Sequence, residues 1–491
     1  MIARLLIAVA AGLALAAAMP ADETVSRGSR TISRLAAIPL NWKLPVEGKD
    51  FQVVRSKAGV TFYCRSDRSI PLLSVRGVVR AGAVYETGYP AQVARVTARM
   101  LRECGSAGMT VEKLDSLLNY YAGNLDIDCG PDLVTIQATI HSDQADTLVE
   151  ILAGLLARPA FTQERFDYVV QRIRTEEDTA AEDPFYLCGR KFQQLLYVTH
   201  PYGYLHSADG IEKVTLAEVQ RYFVDHYGPA GLALVVTGDF DANRVLKKWE
   251  EFYTGHPPAR EIPPPTMPAP QDRPGMFLLQ KNINQCSIYF GCQSVARDLS
   301  DIHRIHLLNH MVGGSSFASR FTQQVRDREG LAYRVDSIFD TDVLGRPAFI
   351  ARCRTKTDTT VRALDAMLWI IGLFRDGKIG ETEFEAGVSG LKNGFVKRFA
   401  TVEDVLANFL MLTILNRPRS YLEEYQSHAG AITRLQLQET ARKYLNPDRM
   451  TFVVVGNVRE IEDGLKKFGT IYRLNEAAPA SRPERQPPPG R

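Results

Sequence analysis

The chain has 491 residues, of which 45% are hydrophobic and 23% are charged, and its formal net charge is +3. This length exceeds what a single hydrophobic core supports and predicts two or more domains, while the composition is typical of a soluble globular protein. The small net charge and the absence of a long basic run in the sequence argue against a nucleic-acid partner.

The N-terminus predicts export. It begins with the positively charged MIAR, continues with the apolar run LLIAVAAGLALAAA and ends in AAAMPAD, whose small residues suit signal peptidase. These features predict a signal peptide over residues 1–21 and a periplasmic or secreted protein. The apolar run is shorter than the ~20 residues of a membrane span, which leaves an uncleaved membrane anchor as the alternative.

Hydrophobic periodicity in the first half predicts helices interleaved with strands. SIPLLSVRGVVRAG and DLVTIQATIHS are predicted strands, and residues 92–103 and QADTLVEILAGLLA are predicted helices. A helix followed by a strand closes the half, in AEVQRYFVDHYGPAGLALVVTGDF. Without a glycine-rich phosphate loop, this order favours sheets covered by helices over a nucleotide-binding fold.

The predicted helix over residues 92–103 has one apolar face and one arginine face. The apolar face is formed by Val93, Val96, Met100 and Leu101. The opposite face carries Arg95, Arg99 and Arg102. On this pattern alone, the three arginines are expected to form a solvated helix surface.

A proline-rich stretch, HPPAREIPPPTMPAPQDRPG at residues 256–275, predicts a linker that divides the chain nearly in half. We therefore expect one domain over residues 22–255 and a second over residues 276–475. The tail over residues 476–491 ends in RPERQPPPGR, has little to bury and is predicted to be disordered.

The two halves repeat each other at a constant offset of 218 residues. KVTLAEVQRYFVDHYGPAGLALVVTGDF in the first half matches AITRLQLQETARKYLNPDRMTFVVVGNV in the second. The matched pairs are Thr215 with Thr433, Pro229 with Pro447, Gly238 with Gly456 and Phe166 with Phe384. A constant offset over this span predicts a tandem duplication of one α+β domain.

Seven cysteines are scattered along the chain without CxxC spacing, which argues against a thiolate zinc site or a redox motif. Their odd number means that they cannot all form disulfide bonds within one chain. The sequence leaves open which of them, if any, form disulfide bonds.

The order of these segments resembles the pitrilysin family of zinc peptidases, which includes insulin-degrading enzyme and the mitochondrial processing peptidase. The matching pieces are VVRAGAVYETGYPAQVARVTARML, HPYGYLH at residues 200–206, the VVTGDF strand and GGSSFASRFTQQVRDREGLAYRV at residues 313–335. They cover nearly the whole mature chain, and the last is the most specific. The resemblance implies an α+β fold of two homologous domains in tandem, each a mainly antiparallel sheet covered by helices.

Active members of that family carry an HxxEH zinc motif on the first helix, with two histidine ligands and a glutamate that activates the zinc-bound water. The matching positions in this chain are Arg95, Ala98 and Arg99. Because a guanidinium group is permanently charged and has no lone pair to offer, this site is expected not to hold zinc. The family's third ligand, a glutamate about 77 residues further on, matches Glu176, which is either a remnant of the metal site or a surface carboxylate.

A second, weaker candidate metal site is HRIHLLNH in the second half, where His303, His306 and His310 fall on one helical face. His306 and His310 have the i, i+4 spacing that can bind a divalent metal. Asn309 stands beside the second histidine and cannot accept a proton from water. The alternative is a set of polar or partly buried structural histidines.

In the resembled family, an arginine and a tyrosine seven residues apart in the C-terminal half help to hold the substrate backbone, and Arg326 and Tyr333 match that pair. Gly330 can end a helix in a left-handed conformation, after which residues 331–333 begin a strand, so both side chains can be presented at one junction. The alternative makes Arg326 a helix-end cation and Tyr333 a half-buried strand aromatic.

Together with the resemblance, these residues predict a non-catalytic subunit of a heterodimeric zinc peptidase. The chain itself would carry no catalytic residue, metal or other cofactor. A partner subunit with HxxEH would hold zinc, while this chain would bind a peptide or unfolded polypeptide through Arg326 and Tyr333. One alternative is a structural scaffold of the same fold without a role in proteolysis, and another is an unorthodox metallopeptidase that uses His306 and His310.

Overall fold

The computed structural model describes residues 43–198, 200–205, 207–253, 262, 265, 273–294, 299–345 and 347–475. The signal peptide predicted at 1–21, most of the linker predicted at 256–275 and the tail predicted at 476–491 lie outside the described residues. In the described part of the chain, no helix is long and apolar enough to cross a membrane.

The first half forms a six-stranded sheet in the order β1-β2-β6-β3-β5-β4. Its strands are β1 (Gln52–Arg55), β2 (Thr61–Ser66), β3 (Leu72–Val79), β4 (Asn124–Cys129), β5 (Val134–His141) and β6 (Leu232–Gly238). β2 and β6 are parallel, whereas the other neighbours are antiparallel. β4 therefore lies at one edge of the sheet.

The second half forms a six-stranded sheet in the order β12-β7-β11-β8-β10-β9. Its strands are β7 (Gly275–Gln280), β8 (Gln285–Gln293), β9 (Ala332–Phe339), β10 (Ala348–Lys356), β11 (Thr451–Gly456) and β12 (Ile471–Arg473). β7 runs parallel to β11 and β12, and the remaining neighbours are antiparallel. Two mainly antiparallel sheets of matching strand order confirm the predicted tandem α+β fold.

Helices cover both sheets. In the first half they are α1 (Val93–Glu103), α2 (Val111–Tyr120), α3 (Ala145–Ala157), α4 (Gln163–Ala180), α5 (Pro184–Tyr197), α6 (Leu216–His226) and α7 (Ala242–Tyr253). In the second half they are α8 (Ile302–Asn309), α9 (Thr360–Arg375), α10 (Glu381–Val396), α11 (Val402–Ile414), α12 (Ser420–Glu423), α13 (Tyr425–Gly430), α14 (Arg434–Tyr444) and α15 (Glu462–Leu465). Two π-helical segments, His310–Gly314 and Phe321–Arg328, follow α8.

Helices α5 and α11 are related by the 218-residue offset, and their N-termini are fixed by local sequence. Asp183 accepts a hydrogen bond from the Phe185 amide, with Pro184 in the first turn of α5. Thr401 caps α11 by accepting a hydrogen bond from the Asp404 amide at 3.1 Å. Equivalent capping residues therefore start equivalent helices in the two halves.

Each of these two helices packs on the sheet of the other half. The apolar face of α5 forms one buried cluster with β7, β11 and the start of β10, made by Leu187, Cys188, Phe192, Leu195, Leu196, Phe277, Leu279, Ala348, Val453 and Val455. In return, α11 packs against β6 and β2, where the Thr237 hydroxyl donates to Glu403 at 2.8 Å. The two halves are thus joined by a reciprocal exchange of helices.

Candidate functional site

Helix α1 carries the degenerate zinc motif and begins at an unusual residue. Gln92 precedes the helix with φ of 79°, a left-handed conformation that is uncommon for a non-glycine residue. The buried Glu86 carboxylate accepts hydrogen bonds from the amides of Gln92 at 3.2 Å and Ala94 at 3.0 Å, which satisfies free N–H groups of the first turn. Burial raises the pKa of Glu86 to about 8, and these two amides oppose the rise.

Arg95 lies in the interior and pairs with a buried carboxylate. Its Nη1 atom lies 2.6 Å from Glu177 Oε1, and the two side chains are only 12% and 4% exposed. The Tyr186 hydroxyl donates a second hydrogen bond to Glu177 Oε2 at 2.7 Å. The expectation that Arg95 belongs to a solvated surface is therefore wrong, because α4 presents Glu177 to it.

Glu177 belongs to this site but was not predicted from the sequence, where it stands beside Glu176 in the charged run TEED. The buried positions of α4 are Phe166, Val169, Ile173 and Glu177, a series with helical spacing. That spacing places the Glu177 carboxylate on the apolar face of the helix. It could have indicated from the sequence that Glu177 is buried and pairs with a cationic side chain.

Arg99 and Glu176 occupy a more exposed layer of the same cluster. Arg99 Nη2 lies 3.6 Å from Glu176 Oε2 and 3.9 Å from Asp128 Oδ1. Arg172 Nε also donates to Glu176 at 3.0 Å. Glu176 is thus a partly exposed carboxylate held between two guanidinium groups.

These residues do not fit a zinc ion. The two positions that supply histidine ligands in the family hold cations, and Ala98 is fully buried and offers no carboxylate. Glu176 and Glu177 are already paired with arginines. Within the described residues, no group of three or more His, Cys, Asp or Glu side chains could hold a metal ion.

The histidine candidates lie in the second half. His306 uses both ring nitrogens in hydrogen bonds, Nδ1 with the Tyr425 hydroxyl at 2.9 Å and Nε2 with the Thr341 hydroxyl at 2.7 Å. Helix α8 ends at Asn309, and His310 begins a π-helical turn. His306 and His310 are therefore not on one continuous α-helix as the spacing predicted, and His306 has no nitrogen left for a metal.

The buried His306 should make the fold sensitive to acid. Burial lowers its pKa from 6.5 to about 4, so between these values the unfolded chain binds more protons than the folded chain. The free energy of unfolding is then expected to fall as the pH drops from 6.5 to 4. His306→Gln should reduce this slope by up to about 1 kcal/mol per pH unit.

Urea unfolding at a series of pH values measures that slope, which is independent of any overall loss of stability caused by the substitution. His141→Gln is the matched control, because His141 lies at the surface at the end of β5. If the free energy of unfolding changes with pH equally steeply in the wild-type chain and in His306→Gln, His306 is not the source of the acid sensitivity.

Arg326 and Tyr333 flank a helix-to-strand junction. Gly330 has φ of 62°, the Leu331 amide donates to the Val325 carbonyl at 2.9 Å, and β9 begins at Ala332. This confirms the predicted left-handed helix end, although the helix is π-helical over Phe321–Arg328.

The Arg326 and Tyr333 side chains are both accessible. Tyr333 is 89% exposed, so it is not the half-buried strand aromatic of the alternative interpretation. Arg326 donates from Nε to Asp327 at 2.9 Å. Both residues line one cavity of about 790 Å³ that follows β9. The structure therefore brings this predicted pair together at an open site.

The chain is similar to proteins of the M16 peptidase family. Residues 213–391 match the family model of the Peptidase M16 inactive domain. The non-peptidase homolog YmxG of Helicobacter pylori is 20% identical over 410 residues, which cover 82% of this chain and 94% of that protein. An uncharacterized zinc protease of Rickettsia felis is 21% identical over 296 residues, which cover 60% of this chain and 71% of that protein.

Two solved structures share the fold. A peptidase M16 inactive domain from Pseudomonas fluorescens superposes with a TM-score of 0.73 at 20% identity and covers 83% of this chain and 97% of its own. A protease from Helicobacter pylori gives a TM-score of 0.73 at 17% identity and covers 84% of this chain and 100% of its own. At these identities the likeness establishes the architecture.

Proposed function

This chain is a homologue of the pitrilysin-like M16 zinc peptidases, and on that premise we propose that it is a pseudo-peptidase that positions peptide for a zinc-bearing partner subunit. The observation that carries the proposal is the contrast between its two candidate sites. The zinc-motif position is filled by the buried Arg95–Glu177 ion pair, whereas Arg326 and Tyr333 stay accessible beside a cavity. The name of the Helicobacter pylori relative, a non-peptidase homolog, supports the loss of catalysis.

In this proposal the partner subunit supplies the zinc chemistry, and this chain supplies hydrogen-bond donors. A guanidinium group and a phenol hydroxyl can both donate to carbonyl oxygens of an extended peptide. Donors fixed on the Arg326–Tyr333 junction would orient the peptide and stabilise charge that develops on those oxygens. The signal peptide predicted at residues 1–21 would place the assembly in the periplasm or outside the cell.

The proposal is tested by mixing the purified chain with a relative from the same organism that carries HxxEH. We expect a one-to-one complex in sedimentation velocity and binding of a labelled, extended peptide that depends on Arg326. Stable association with other proteins but no peptide binding, with or without the relative, would instead favour a scaffold.

A further inference from the structure

Strand β9 lies at the edge of the second sheet, and its side chains alternate between two faces. Val335, Phe339 and their neighbours on β10 face the helix-covered core. Arg334, Asp336 and Ile338 therefore share the opposite face. On β10, Arg352 is directly across from Asp336, which adds a second guanidinium to this face.

Helix α5 covers only part of the same face. It packs on the central strands β8 and β11, and its contact with the β9 end of the sheet runs through Phe185, whose ring centroid lies 5.0 Å from the Arg334 guanidinium carbon. Arg334 remains 52% exposed. A basic side chain thus stands at the uncovered margin of the sheet.

The charges of Arg334, Arg352 and Asp336 do not sum to zero. Asp336 accepts hydrogen bonds from Arg334 Nε at 3.1 Å and from Arg352 Nε at 2.9 Å, so a single carboxylate pairs with two guanidinium groups. Among the described residues, the bond to Asp336 is the only hydrogen bond that Arg334 makes. The group has a net charge of +1, and the terminal nitrogens of Arg334 retain unused donors.

An extended peptide can add to a sheet edge, because the edge strand offers backbone N–H and C=O groups that no strand of the described chain pairs with. The cavity of about 790 Å³ follows β9 from Ala332 to Ile338 and includes Arg352 in its wall. Alternate side chains of such a peptide would fall on the Arg334 face. Opposite charges on neighbouring strands attract, and like charges repel.

We propose that Arg334, with Arg352 behind it, selects an acidic side chain of a peptide that lies along β9. The inference rests on the proposed peptide-binding function and adds the class of substrate. A peptide carboxylate would take the unused Arg334 donors, whereas a lysine at the same position would meet the net positive charge. Asp336 is a positioning residue that holds both guanidinium groups on this face of the sheet.

The test uses the full chain and three labelled extended peptides that differ only in a central Asp, Asn or Lys. Fluorescence anisotropy is expected to give binding of the Asp peptide about five-fold tighter than the Lys peptide. Arg334→Gln should remove the preference, and Arg334→Glu should invert it. Arg362→Gln is the matched control, because Arg362 is an exposed arginine outside the cavity wall and should leave the preference unchanged.

The outcomes separate this inference from the proposed function. If the peptides bind with equal affinity, or if Arg334→Glu leaves the order of affinities unchanged, the acidic selectivity is wrong while peptide binding stands. If none of the peptides binds, with or without the HxxEH-bearing relative, the proposed function fails and the selectivity fails with it.

Discussion

Replacing Arg95 with alanine is expected to lower the free energy of unfolding by about 3 to 5 kcal/mol, because it leaves a buried carboxylate without its cation. Glu177 is 4% exposed, and its partners are the Arg95 guanidinium and the Tyr186 hydroxyl. A hydroxyl alone cannot offset the cost of removing a charge from water. Urea unfolding followed by circular dichroism measures the change.

Two further variants make this prediction specific. Arg99→Ala is the matched control one turn away, where the arginine is 30% exposed and faces a carboxylate 3.6 Å distant, and its cost should be about 0 to 1 kcal/mol. The double variant Arg95→Met with Glu177→Gln removes both charges and should recover most of the loss, because replacing a buried ion pair whole is often neutral. Equal losses for Arg95→Ala and Arg99→Ala would show that Glu177 does not depend on Arg95.

The second large effect concerns activity. In a pair reconstituted with the proposed HxxEH-bearing partner, Arg326→Ala is expected to reduce kcat/KM for peptide cleavage about 100-fold, since it would remove the proposed donor to a carbonyl oxygen that gains charge in the transition state. Tyr333→Phe removes only a hydroxyl and should cost about ten-fold. Neither change should alter stability much, because both side chains are accessible and line an open cavity.

The control for these variants is Arg328→Ala. Arg328 lies on the same π-helical segment as Arg326 but is not part of the cavity wall. It should keep the full kcat/KM and still form the complex. Equally fast cleavage with Arg326→Ala, Tyr333→Phe and Arg328→Ala would show that Arg326 and Tyr333 do not contact the substrate in the transition state.

Much of the architecture could be predicted from the sequence because it depends on short-range patterns. The helix predicted at residues 92–103 is found at Val93–Glu103, and the left-handed Gly330 ends a helix where the strand signal begins. The 218-residue offset predicted the duplication that the two sheets confirm. The exchange of α5 and α11 between halves was not predicted, because periodicity identifies an apolar face but not the surface that covers it.

In the candidate sites, too, short-range features could be predicted from the sequence and tertiary contacts could not. The polar face of α1 was identified correctly, but the burial of Arg95 on that face was not, because it depends on Glu177, which lies 82 residues further along the chain. The π-helical turn that begins at His310 was also not predicted, because the spacing argument assumes an α-helix with 3.6 residues per turn. The prediction that Arg95, Ala98 and Arg99 cannot bind zinc combined the family resemblance with residue chemistry, whereas the ion pair between Arg95 and Glu177 is seen only in the structure.

The most direct test of the proposed function is cleavage of an internally quenched peptide by the purified chain, alone and after mixing with a relative that carries HxxEH, with and without a metal chelator. We predict no cleavage by this chain alone, and cleavage on mixing that the chelator abolishes and that exceeds the rate of the relative alone. Chelator-sensitive cleavage by this chain alone would contradict the account, because it would require a metal site that Arg95, Ala98 and Arg99 do not provide.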